Sequence, residues 1–130
     1  MYYSKTQLTR IKDSYCLLFQ IENTMKSHAQ FTLESEFGVN WLFILKRKYN
    51  NQISNKHIPD MHFHEIISLI KMVSLLNKDY QKEQIVDLTK LNKVRNQIAH
   101  CTLISHDDYL LLRRVFRNMR KIRSLDTNIN

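Results

Sequence analysis

TQLTRIKDSYCLLFQIENTMKSHAQ, Thr6 to Gln30, contains neither glycine nor proline. Leu8, Ile11, Tyr15, Leu18, Met25 and Ala29 recur in it at three- and four-residue steps or their sum. That rhythm predicts one face of a long α-helix, with Phe19 and Ile21 beside it. Glu22 interrupts the stripe where the spacing asks for leucine. A buried carboxylate is costly unless paired, so Glu22 either has a partner or stands at the stripe's edge in water.

The rest of the chain repeats the pattern. After a lapse from Thr32 to Asn40, marked by Gly38, WLFILKRKY (Trp41 to Tyr49) predicts a brief helix ending in three cations. Asn50 to Pro59 is polar and is expected to be a loop. Met61 to Leu76 carries Phe63, Ile66, Ile67, Ile70, Val73 and Leu76, a second long amphipathic helix. A third runs from about Lys82 towards His100, with Ile85, Leu88, Leu91, Val94 and Ile98 on one face. Ser105, followed by Asp108, signals a helix start, and a fourth long helix carries Leu111, Leu112, Val115, Met119 and Ile122. The tail from Asp126 is polar and expected to fray.

With 130 residues the chain is one domain, 1–130, and its 43% apolar residues suffice for a core. Glycine and proline occur once each, at Gly38 and Pro59. Sandwiches, barrels and dinucleotide-binding folds need such turn residues often, so the fold class is all-α. Twenty Lys and Arg against twelve Asp and Glu give a net charge of +8. Such a surface attracts polyanions, nucleic acid before anionic membrane. Cys16 and Cys101 make no disulfide framework, the opening MYYSKTQLTR is polar, and no apolar run reaches the ~18 residues of a membrane span. The expectation is a cytoplasmic protein that does not enter membranes.

One segment concentrates chemistry: LNKVRNQIAH, Leu91 to His100. Arg95 and His100 enclose Asn96, Gln97, Ile98 and Ala99. On an ideal helix those two side chains sit about 140° apart and about 7.5 Å along the axis. They cannot grip one atom together within a regular helix. Either the helix ends near Ala99 or a working site combines residues of two chains. The plain alternative is an exposed arginine and a histidine near a helix C-terminus, where cations are favoured.

RNQIAH resembles the R-x4–6-H motif of the HEPN superfamily, including a polar residue after the arginine (Asn96) and a small one before the histidine (Ala99). The motif is about six residues long; the likeness in architecture covers most of the chain. It implies a four- to five-helix up-down bundle with the motif late in the chain. It also implies a homodimer in which two arginines and two histidines face one another, and RNA cleavage without metal or other cofactor. QIENTMKSHA (Gln20 to Ala29) looks like the acidic first-helix segment of some HEPN branches, which would set Glu22 near Arg95.

The residue types suit that chemistry. An imidazole such as that of His100 can take a proton from a 2′-hydroxyl as it attacks phosphorus. Arg95 can hold two phosphate oxygens as their charge grows. Asn96 would orient the phosphate or a base edge. Arg113, Arg114, Arg117, Arg120, Lys121 and Arg123 form either a solvated basic face or an RNA-binding strip, which Lys46, Arg47 and Lys48 could extend. His57, His62 and His64 with Asp60 lack the further ligands of a recognisable metal set. Cys101 beside His100 points away from it on a helix and makes a poor nucleophile pair. No glycine-rich phosphate loop is present, which excludes P-loop enzymes.

The expected function is a metal-independent endoribonuclease of the toxin or phage-defence effector type, leaving 2′,3′-cyclic phosphate and 5′-hydroxyl ends. An antitoxin or a defence-system protein would be its partner. The alternatives are a HEPN-like module that binds RNA or protein without cutting, and a structural helical adaptor in which the motif is chance.

Overall fold

Ser4 starts the longest helix. Its hydroxyl accepts from the Gln7 N–H at 3.1 Å, and the Gln7 side chain accepts from the Ser4 N–H at 2.8 Å. That reciprocal cap satisfies two donors the helix would otherwise orphan. The computed structural model describes residues 3–100 and 102–127. Among them it is all-helical, without a strand: α1 (Lys5–Phe37), α2 (Trp41–Lys48), a 3-10 turn (Ile58–Asp60), α3 (Phe63–Met72), α4 (Ser74–Asn77), α5 (Lys82–Ala99), α6 (His106–Asn118) and α7 (Arg120–Thr127). None of these helices is long and apolar enough to cross a membrane.

The 33-residue α1 is the spine, and every other helix packs against it. It runs on to Phe37, through the stretch where the apolar rhythm lapses. Leu33 is buried and Phe37 half-buried there, while Glu34, Ser35 and Glu36 face water. Gly38 then ends the helix with φ +79°, its N–H donating to the Glu34 carbonyl at 2.8 Å. A positive φ of that size costs a glycine little.

Three contacts set the directions of the bundle. Tyr109, near the start of α6, touches Arg10 and Asp13 near the start of α1. Gln84, near the start of α5, donates to the Asn118 carbonyl at the end of α6 at 2.6 Å. At the other end of α5, Ile98 shares a crevice with Arg10, Ile11 and Ser14. Helices α1 and α6 therefore run one way and α5 runs back between their ends.

Three sequence expectations need correction. The buried face of α1 is not the Leu8–Tyr15 stripe. Ser14, Ile21, Met25, His28 and Ala29 are buried, whereas Leu8, Tyr15 and Phe19 are exposed. The first half of α1 meets the end of α5 and the start of α6 through Arg10, Ile11 and Asp13, which leaves the Leu8–Tyr15 stripe uncovered. The helix expected over Met61–Leu76 breaks at Val73, which is extended (φ −95°, ψ 111°). The break turns α4 onto α1 and lets both Val73 and Leu76 be buried. The expected fourth long helix divides at Met119. There the Arg123 guanidinium donates to the Phe116 carbonyl at 2.7 Å and lies 4.3 Å from the Phe116 ring. The Ser105 cap is present, its hydroxyl accepting from the Asp108 N–H at 3.1 Å.

Candidate functional site

Helix α5 carries the R-x4-H segment at its C-terminal end. Leu88, Leu91, Val94 and Ile98 are buried, Ile85 half-buried, and this face pins the helix to the bundle. The helix stops at Ala99, and His100 caps it with φ −92°, ψ 12°, its N–H donating to the Asn96 carbonyl at 3.2 Å. The Thr102 N–H donates to the Gln97 carbonyl at 3.0 Å and closes the turn.

Arg95 is half-buried, at the edge of the core face; His100 and Asn96 are exposed. Neither the Arg95 nor the His100 side chain makes a hydrogen bond or ion pair among the described residues. The near-helical backbone at His100 keeps its side chain close to the direction ideal spacing gives, about 140° from Arg95. One chain thus offers a free guanidinium and a free imidazole on different sides of a helix end. The Gln97 Oε1 atom beside them is buried without a hydrogen-bond partner among the described residues.

Glu22 stands at the edge of the buried face. It pairs with Lys26 at 3.9 Å, one turn along the same helix, and Lys26 also donates to the Pro59 carbonyl at 3.3 Å. No ion pair joins Glu22 to Arg95 among the described residues. The two acidic and basic partners were separable only in three dimensions, since i, i+4 pairing is always open to a helical glutamate.

The six cations of the expected strip divide between α6 and α7. Arg114 grips Asp87 of α5 through two bonds of 3.1 Å, which raises the Arg114 guanidinium above its ordinary value. Arg123 is turned inward onto Phe116, and burial, then Arg120 nearby, lower it from its ordinary value. Arg113 lies 5.9 Å from the Tyr109 ring, and Arg117, Arg120 and Lys121 are exposed. Because α6 runs against α5, the strip lies beside the first half of α5. Asp87 precedes His100 by thirteen residues, about 20 Å along the axis. Arg114, Arg117, Arg120 and Lys121 are therefore remote from the motif within one chain, whereas Arg113 reaches back to Tyr109.

A cation the sequence did not single out does lie at the motif end. Arg10 shares the crevice of Ile98, Thr102 and Ile104, and its guanidinium is 5.5 Å from the Tyr109 ring. Nothing local in α1 marks it, because its neighbours are about ninety residues away in sequence. Elsewhere, His62 and His64 stack with ring centroids 5.9 Å apart. Glu65 beside them accepts from Lys56 Nζ, the His62 N–H and the Ser54 hydroxyl, each at 2.9 Å. Lys56 above all, then the His62 N–H, hold its carboxyl down at about 2. Among the described residues, no three His, Cys, Asp or Glu side chains converge as metal ligands would. Cys101 lies outside the described residues. No protein-family model, no curated protein and no solved structure matches the chain.

Proposed function

We propose that this protein is a HEPN-type, metal-independent endoribonuclease whose site forms where Arg95 and His100 of two chains meet. The observation that carries the reading is the state of those two side chains. Both lie at one helix end, within reach of water, and neither is engaged by another described residue. Two other arginines are tied, Arg114 to Asp87 and Arg123 to Phe116, while Arg117 and Arg120 are exposed without such a bond among the described residues but have no histidine five residues away. A free guanidinium and a free imidazole at the point of the R-x4-H likeness suit phosphate binding and proton transfer.

In the reaction, His100 removes the 2′-hydroxyl proton, the 2′-oxygen bonds phosphorus, and the bond to the 5′-oxygen breaks. Arg95 holds the phosphate oxygens as negative charge accumulates. The second chain's His100 returns a proton to the departing 5′-oxygen, leaving a cyclic phosphate and a hydroxyl. The divergence of about 140° between the two side chains is the reason a second chain enters the proposal. Leu8, Tyr15 and Phe19, exposed within about 40° of one another on α1, give that second chain an apolar ridge to cover.

The test is incubation of the purified protein with mixed RNA in excess EDTA, followed by end-group analysis. Cyclic phosphate and 5′-hydroxyl ends are expected. Cleavage abolished by EDTA, or 5′-phosphate ends, would overturn the mechanism. Mixing Arg95→Ala with His100→Ala protein should restore part of the cleavage that each lacks, because a mixed dimer retains one arginine and one histidine on opposite chains.

A further inference from the structure

The strongest unassigned surface is the outer side of α2. Trp41 and Leu45 are buried and anchor this helix to the core. On its other side Phe43 is 64% exposed, next to Ile44, and Val39 in the preceding turn is 87% exposed. Phe43 and Val39 thus form an apolar spot next to the basic end of α2. The Arg47 guanidinium lies 5.9 Å from the Phe43 ring, and Lys48 Nζ 5.8 Å from the Tyr49 ring. Lys46 bonds Asn55, whereas Arg47 and Lys48 make no ion pair among the described residues.

The charge around this surface has one sign. Between Glu36 and Asp60 the sequence contains no acidic residue, while Lys46, Arg47, Lys48 and Lys56 all fall there. Part of that positive charge complements the C-terminus of α2. A helix end, however, needs no exposed phenylalanine one turn back. Cations spaced around a solvent-facing aromatic ring are what a single-stranded nucleic acid engages: the ring stacks a base and the cations hold the neighbouring phosphates. Stacking suits every base, so such a surface binds strands with little regard to sequence.

We propose that α2 is a single-stranded RNA platform on which Phe43 stacks a base while Arg47, one turn on, holds the flanking phosphate. The inference rests on RNA being a ligand of this chain, and it does not depend on Arg95 and His100 cutting it. It also offers the strand a surface whose cations are free, unlike Arg114 and Arg123 of the α6–α7 strip.

The test uses a fluorescent 2′-O-methyl oligouridine, which has no free 2′-hydroxyl and cannot be cleaved, so binding is read apart from cleavage. Phe43→Ala should weaken binding by about 5- to 150-fold at fixed salt, the range for losing one stacked base. Phe43→Leu should weaken it nearly as much, because leucine keeps apolar area but has no π-face. The Phe43 variants should leave the slope of log affinity against log salt unaltered, while Arg47→Ala should flatten it by about 0.7. Phe43→Tyr, which keeps the π-face, should restore wild-type affinity. Full binding by Phe43→Leu would overturn the stacking role. The competing occupant is an anionic membrane. Co-sedimentation of the wild type with phosphatidylserine vesicles, without measurable oligouridine binding, would overturn the RNA assignment. Oligouridine binding together with no cleavage of unmodified RNA would leave this platform standing and sink the nuclease reading; cleavage of unmodified RNA unaffected by Phe43→Ala, with unaltered oligouridine affinity, would do the reverse.

Discussion

The two halves of α1 belong to different environments. From Ile21 to Leu33 one face of the helix is enclosed, with Ile21, Met25, Ala29 and Leu33 fully buried, and Phe31 is the one large apolar side chain there left exposed. His28, almost as deep, holds Asp79 of the α4–α5 turn at 2.8 Å. From Lys5 to Gln20 the same helix keeps Leu8, Tyr15 and Phe19 exposed, although its sequence there is no less apolar. Helices α2, α3 and α4 and the 3-10 turn are used up around the second half. The candidate site, at the C-terminal end of α5, lies beside the open half. Three of the four large apolar side chains that α1 leaves exposed thus lie in its first half, beside the candidate site.

Four substitutions probe that division. At the open end, Arg95→Ala and His100→Ala should each lower the cleavage rate by about 10²- to 10⁴-fold. Circular dichroism and melting temperature should stay close to wild-type values, since His100 is exposed and Arg95 lies at the edge of the core with no hydrogen bond or ion pair among the described residues. Parallel loss of activity and stability in both variants would break the contrast.

At the enclosed end, Leu33→Ala should cost about 2–5 kcal/mol in urea unfolding, through lost burial and a residual cavity. Phe19→Ala, only fourteen residues earlier, should change the stability of the single chain by less than about 0.5 kcal/mol. It should instead shift sedimentation towards monomer if a second copy covers the ridge. Equal destabilisation by both substitutions would show that the halves do not differ.

The Glu65 corner belongs to the enclosed end and should reveal itself in acid. Its carboxyl sits at about 2 in the folded protein against 4.5 ordinarily. The stability it contributes is therefore complete above about pH 4.5 and is lost as pH falls towards about 2. Glu65→Gln should lower unfolding free energy at pH 7 by about 1 kcal/mol and flatten the acid limb of the stability profile. An acid limb as steep as wild type would dismiss the corner as a stabilising contact. The smallest effect is expected for Arg114→Ala. Its bond to Asp87 is open to solvent on the arginine side, so the loss should be about 1 kcal/mol or less and should shrink at high salt.

The fold class was legible because scarce glycine and proline and strong helical spacing agree with one another. The stripe Leu88, Leu91, Val94 and Ile98 is buried as its spacing predicts. Ser105 is a cap because a hydroxyl three residues before an N–H has a local partner. What failed were features set by distant residues. The rotation of the α1 face depends on which helices arrive to cover it. The breaks at Val73 and Met119 have no proline or glycine to announce them; Asn77 donating to the Lys71 carbonyl and Arg123 reaching back to Phe116 accompany them. At the site, the spacing of Arg95 and His100 was legible, and their divergence followed from it. That Glu22 pairs with Lys26, that Arg114 is tied to Asp87, and that Arg10 stands at the motif end depend on packing that no local pattern encodes.

The bond from His28 to Asp79 gives the long helix a defined register. An apolar face tolerates a shift of one turn along its neighbours, because leucine, isoleucine and methionine exchange places at modest cost. A helix as long as α1 offers several such near-equivalent seatings. Only one of them brings the His28 Nε2 atom to Asp79; in any other the imidazole would stand in the core with neither nitrogen bonded, at a cost of about 1–3 kcal/mol. One polar contact between residues 51 positions apart thus acts as a notch in an otherwise smooth surface. By fixing how far α1 extends past α5, it also determines which residues of the first helix end up beside His100.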